Sequence, residues 1–199
     1  MIPKVVHQIW VGELIEGIQE CLDSIKKAMS NFDIRLYGQS EVDELVPENV
    51  SLVAKTDLFR NRILYKEGGW YVDADCYALK PFNCERSYSF GEQEQTVGNA
   101  KVCDWCYGSE SGNPDLVALE NRILSRPYEV NHNSGSHWVS EVVKDRTLES
   151  PNVFGSRRFA SIAPSFNLLK NPTIVHLFLG SWYNPQSIAN SIALLKQKS

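Results

Sequence analysis

The chain has 199 residues, 43% hydrophobic and 22% charged, a globular balance that excludes disordered, collagenous and coiled-coil proteins and fits one domain over residues 1–199. Its formal charge of −4, without a basic cluster larger than a pair such as Lys26-Lys27 or Arg157-Arg158, argues against a nucleic-acid partner. No window approaches 18 uninterrupted apolar residues, the opening MIPKVVHQIWVGE has no apolar leader segment, and the five cysteines show no disulfide-framework spacing. The expectation is a cytosolic protein without a transmembrane segment.

In chain order, Val5 to Trp10 reads as a strand, and Ile15, Ile18, Leu22, Ile25 and Met29 mark one face of a following helix. Ile34 to Tyr37 is a second short strand. Leu52 to Glu67 reads as a helix stopped by Gly68-Gly69, glycine being the residue that a left-handed C-terminal cap favours. Trp70-Tyr71-Val72 is a short aromatic strand that delivers Asp73 and Asp75. Glu92 to Asn113 is polar and irregular and reads as a long loop.

Asn113-Pro114-Asp115 then supplies a cap, a first-turn proline and an N-terminal acid for a helix carrying Leu116, Leu119 and Ile123. Trp138, Val139, Val142 and Val143 suggest another helix. Ile174 to Phe178 is strand-like, and Asn184-Pro185 starts a last helix through Ile188, Ile192 and Leu195. This alternation predicts an open α/β sheet with helices on both faces, a class that binds ligands at the carboxyl ends of its strands.

The chemistry concentrates around Gly68-Gly69-Trp70-Tyr71-Val72-Asp73-Ala74-Asp75. Two carboxylates two residues apart at a strand end point to one side and make a hard, oxygen-only half-site. Such a site suits Mg²⁺ or Mn²⁺ with phosphate oxygens completing the coordination. On the preceding helix, Asp57 and Arg60 share a face at i,i+3 spacing, either as a carboxylate and forked guanidinium for sugar hydroxyls and phosphate or as a surface ion pair. Cys103-Asp104-Trp105-Cys106, with Cys84, is read as structural or incidental, although it has the elements of a zinc site. His132, Asn133, Gly135 and His137 form a polar cluster at a helix entry.

The run from Lys55 through Asp57, Arg60 and Gly68-Gly69 to Asp73 and Asp75 resembles the sugar-binding region of DXD-containing glycosyltransferases, the family 32 type that includes capsular polysaccharide and mannosyl-transfer enzymes. The opening Ile2 to Gly12 is similar to that family's first strand, and His176 with Gly180-Ser181-Trp182 resembles its His-His…Ser-Trp segment. The resemblance implies a GT-A (Rossmann-like) fold with an open mixed sheet. It further implies metal-dependent, retaining transfer of a sugar from a nucleotide diphosphate sugar, a UDP- or GDP-sugar, to a hydroxyl of a glycan or other acceptor, as in polysaccharide biosynthesis, with Mn²⁺ or Mg²⁺ as cofactor. In those terms Asp75 binds the metal, and Asp73 holds it through water or holds the ribose and donor sugar. Asp57 and Arg60 meet the donor sugar, Ser181 and Trp182 lie near the diphosphate, and Trp10 stacks on the base as in related glucosylating toxins. The chain has His176-Leu177 where the family segment carries two adjacent histidines, so His176 is either a third metal ligand or a hydrogen-bonded core residue.

Two rival readings fit the same acids. A phosphatase of the haloacid dehalogenase type also uses Asp-x-Asp with Mg²⁺, but its motif opens the first strand, whereas here Cys76 and Tyr77 follow the acids. The other is a non-catalytic nucleotide-sugar or carbohydrate-binding module on the same fold. Retention of Asp73 and Asp75 beside Arg60 favours the enzyme.

Overall fold

The computed structural model describes residues 1–81, 88–93, 101–126, 153–155, 174–177, 192–193 and 195–197. Its elements are β1 (Val5–Ile9), α1 (Glu16–Ala28), β2 (Asp33–Tyr37), α2 (Gln39–Leu45), α3 (Leu52–Glu67), β3 (Gly69–Val72), β4 (Cys76–Ala78), β5 (Tyr88–Gln93), β6 (Lys101–Ser109), α4 (Pro114–Ser125), β7 (Val153–Gly155) and β8 (Ile174–His176).

Local chemistry explains the helix ends. Ser51 caps α3 by accepting from the Ala54 amide at 3.2 Å, and Asn113 caps α4 by accepting from the Asp115 amide at 3.0 Å. The predicted span of α3 is the observed one, and Gly68 and Gly69 end it with φ of +68° and +103°. A side chain is excluded there on two counts. Positive φ disfavours it, and a Cβ on Gly69 would lie 2.7 Å from the Val5 carbonyl oxygen. His7 closes this corner: its Nε2–H donates to the Gly68 carbonyl at 2.9 Å, and Nδ1 accepts from the Tyr37 hydroxyl at 2.9 Å.

Five strands form a mixed sheet in the order β2-β1-β3-β6-β5, and β4-β8-β7 form a second, smaller sheet. β1 runs parallel to both β2 and β3, while β6 is antiparallel to β3 and to β5. The chain therefore leaves β1 to one side through α1 and returns to the other side through α2 and α3. That reversal opens a crevice at the carboxyl ends of β1 and β3, where such sheets place ligands. Ile9, Tyr71 and Tyr107 pack with α3 and α4 on one face, whereas Val6, Trp70 and Val72 pack with Ile25 of α1 and its C-cap Met29 on the other. Helices on both faces, as the alternation predicts, bury the sheet from each side. Among the described residues, no helix is long and apolar enough to cross a membrane.

One expectation is corrected. The segment Glu92 to Asn113 is not a long loop, because it contains the nine-residue β6, an interior strand of the main sheet. Its Trp105, Cys106 and Tyr107 are all buried, and a strand covered on both faces lacks the apolar-polar alternation that would reveal it. Ile192 and Leu195 are buried in helical segments. Asn184, Pro185 and Ile188, the expected helix at Trp138, and the cluster of His132, Asn133, Gly135 and His137 lie outside the described residues.

Candidate active site

Asp73 and Asp75 occupy the tight connection between β3 and β4. The Asp73 amide donates to the Trp105 carbonyl at 2.9 Å, the Cys76 amide returns to the Asp73 carbonyl at 3.0 Å, and the Leu177 amide donates to the Asp75 carbonyl at 3.1 Å. The connection is thus pinned to β6 on one side and to the end of β8 on the other. Within it the two carboxylates converge on one imidazole from 101 residues downstream. His176 Nε2 lies 2.9 Å from Asp75 Oδ1 and 3.5 Å from Asp73 Oδ2. The imidazole stacks on the Trp105 ring, with centroids 4.8 Å apart and planes 12° from parallel. Burial by itself would lower the His176 pKa, but the charges and hydrogen bonds of Asp75 and Asp73 outweigh it and push it up to about 10.

A second group joins this one through Tyr71. The Tyr71 hydroxyl donates to Asp73 Oδ1 at 2.5 Å, and the Arg60 guanidinium lies over the Tyr71 ring, 5.4 Å from its centroid. Arg60 pairs with Asp57 one turn earlier on α3, donates to the Asp104 carbonyl at 2.6 Å, and lies 3.4 Å from Asp104 Oδ2. Asp57 and Arg60 are only 5% and 8% exposed, so the surface-ion-pair alternative does not describe them. They are a buried pair, and removing one partner of such a pair strands the other charge. Arg60 is held in its charged form, because the carboxylate of Asp104 and the neighbouring polar groups outweigh the burial that would favour the neutral one. Burial, then the Asp73 charge, raises the Tyr71 phenol well above its ordinary range, so its proton remains on the oxygen facing Asp73.

Trp10 stands at the end of β1 on the same crevice. Its amide donates to the Tyr37 carbonyl at 3.0 Å and its indole N–H to the Glu13 carbonyl at 3.0 Å. The half-buried ring packs against the cluster that includes Ala74, between the two acids, and Leu177, next to His176. Ser181 and Trp182 lie outside the described residues. The structure therefore brings together Asp57, Arg60, Asp73, Asp75 and His176, and puts Trp10 at the same corner. Sequence reasoning missed Tyr71, Asp104 and Trp105 as parts of the site. Asp104 and Trp105 were hidden by the loop assignment, and Tyr71 by its place in an apolar strand.

Nearby charges have structural duties. Arg62 ties α3 to its neighbours through Glu48, Glu120 and the Leu45 carbonyl. Cys103 and Cys106 belong to β6, Cys106 is buried, and Cys84 lies outside the described residues.

Residues 13–96 match the family described as glycosyltransferase sugar-binding region containing DXD motif. The chain is similar in structure to the PaToxG glycosyltransferase, at 14% identity and a TM-score of 0.53 over 98% of this chain and 86% of that one. It is similar to a glycosyltransferase involved in the glycosylation of the major capsid of PBCV-1, at 12% identity and a TM-score of 0.55 over 96% and 98% of the two chains. The galactosyltransferase LgtC, solved with donor and acceptor sugar analogs, aligns at 9% identity and a TM-score of 0.55 over 97% and 95%. The fold is GT-A. No curated protein matches the sequence.

In this GT-A chain the matched segment contains Asp57, Arg60, Asp73 and Asp75, while Trp10 precedes it and His176 follows it. The donor set fits a divalent cation. Two carboxylate oxygens and an imidazole nitrogen already share one small volume, and a cation bound there would displace the proton that the two acids hold on His176.

Proposed function

We propose that the chain is a metal-dependent, retaining glycosyltransferase that moves a sugar from a UDP- or GDP-sugar to a hydroxyl of a glycan or other acceptor. The observation that carries this reading is the convergence of Asp73, Asp75 and His176 at the carboxyl-end crevice, one hydrogen bond from Tyr71 and its Arg60 neighbour. The family match and the fold support sugar transfer in general, and the motif resemblance supports retention.

Asp75, Asp73 and His176 would hold Mn²⁺ or Mg²⁺, which when bound supplies positive charge for the diphosphate leaving group. The remaining work falls to the protein. Trp10 offers an aromatic face to the base, a stack worth roughly 1–3 kcal/mol. Asp57 accepts from donor-sugar hydroxyls, and Arg60 orients that carboxylate while adding fixed positive charge beside the leaving group. Tyr71 restrains Asp73 by a hydrogen bond. The acceptor hydroxyl approaches from the face that the nucleoside diphosphate leaves.

Incubation with a panel of UDP- and GDP-sugars and Mn²⁺ tests the reading through release of nucleoside diphosphate. Release that stops on chelation is expected. A protein that binds donors and protects them without consuming them is the binding module instead.

A further inference from the structure

Cys76 follows Asp75 directly, yet none of the roles above uses its thiol. It begins β4 and is the register partner of His176 across the antiparallel β4–β8 pair, so the two side chains share one face of the small sheet. Ligand atoms of Asp75, Cys76 and His176 all lie within 4.8 Å of one another. The thiol is fully buried, and His176 and Asp75 are only 5% and 9% exposed. Stacking on Trp105 restrains the imidazole, so little ordering remains to be done when a cation arrives.

We propose that Asp75, Cys76 and His176 form a binding site for a thiophilic divalent cation of the Zn²⁺ or Cd²⁺ type, overlapping the oxygen-rich site of Asp73 and Asp75. The donor chemistry separates the two sites. Asp73 and Asp75 offer hard oxygen, which suits Mg²⁺ and Mn²⁺, whereas a thiolate, an imidazole and one carboxylate favour zinc-like ions. A tetrahedral Zn²⁺ with Zn–S of about 2.3 Å and Zn–N and Zn–O of about 2.0–2.1 Å needs ligand atoms roughly 3–4 Å apart. Small side-chain adjustments close the present spacing to that value. Asp73 Oδ2, 3.5 Å from His176 Nε2, or a water completes the set. Because Asp75 and His176 serve both sites, the two cations exclude one another, and the softer ion binds more tightly. Zinc is therefore an inhibitor of the activating cation. Only that consequence rests on the glycosyltransferase reading; cation binding through Cys76 does not.

Co²⁺ in place of Zn²⁺ makes the site visible. Titration of the full chain with Co²⁺ is expected to give a sulfur-to-cobalt charge-transfer band that saturates at one equivalent and is displaced by Zn²⁺. Cys76→Ser should remove the band and weaken Zn²⁺ about tenfold or more, while Asp73→Asn should keep the band. Absence of the band in the unmodified chain, or its survival in Cys76→Ser, overturns the proposal. X-ray absorption of the zinc-loaded unmodified chain decides independently of how the variant folds: one sulfur at about 2.3 Å is expected, and a shell of oxygen and nitrogen alone overturns the site. Absence of Mn²⁺-dependent donor binding in cobalt- and zinc-free protein that still gives the band on titration would count against the glycosyltransferase reading and not against this site.

Discussion

Replacing Tyr71 by phenylalanine removes a single hydroxyl, the one that donates to Asp73 Oδ1 at 2.5 Å. The ring itself is 3% exposed and packs in the core with Ile9, Phe59 and Tyr107, so the change leaves shape and burial nearly intact. A hydrogen bond to a charged group contributes about 1.5–3 kcal/mol. The Asp73 side chain is 28% exposed, so water replaces part of the lost bond and the lower end of that range applies. Mn²⁺ should therefore bind about tenfold more weakly, equivalent to roughly 1.4 kcal/mol. Calorimetric titration of Mn²⁺ into the original and Tyr71→Phe proteins measures it directly, and thermal melts check that the fold is retained. Unchanged Mn²⁺ affinity in a folded Tyr71→Phe protein would refute the idea that this phenol positions Asp73.

Three further outcomes follow from the same contacts. Arg60→Lys keeps a charge but loses the planar fork that reaches Asp57 and the Asp104 carbonyl; transfer should fall at least tenfold, about 1.4 kcal/mol, and, because the pair is buried, the melting temperature should fall too. Near-original transfer in both Arg60→Lys and Asp57→Asn would remove the pair from the site. Gly108 faces Trp70 across β6 and β3, and an added Cβ would stand 2.6 Å from the buried indole; Gly108→Ala should cost about 1–3 kcal/mol in urea unfolding, an expectation that an unchanged midpoint denies. Burial lowers the His7 pKa below its ordinary 6.5, so its contribution to stability is complete above pH 6.5 and lost as pH falls from there toward the folded-state value. The original protein should lose more stability than His7→Gln between pH 7 and pH 5, and parallel losses would contradict the assignment.

The sequence made the helix-strand unit ahead of the acids readable because its signals are local. Leu52 to Glu67 ends where Gly68 takes positive φ, and Asn113 caps α4 with its own side chain. β6 was not readable because what makes it a strand lies elsewhere: β3 pairs along it, and Trp70 rests on Gly108. The site divides in the same way. Asp73 and Asp75 lie two residues apart in sequence and announce themselves, as do Asp57 and Arg60 one helical turn apart. His176 is named only through the family resemblance, because it reaches Asp75 across 101 residues by the pairing of β8 with β4. Trp105 and Asp104 enter because β6 lies beside β3, placing a ring against His176 and a carbonyl against Arg60. No spacing rule links residues that meet through strand pairing over such distances.

In the proposed function, a divalent cation held by Asp73, Asp75 and His176 makes this crevice bind a nucleotide sugar. The most direct test is calorimetric titration of UDP- and GDP-sugars into the protein with Mn²⁺, into the same protein with EDTA, and into Asp75→Asn with Mn²⁺. The account predicts donor binding in the first case and its loss in the other two. Equal donor affinity in all three would contradict it.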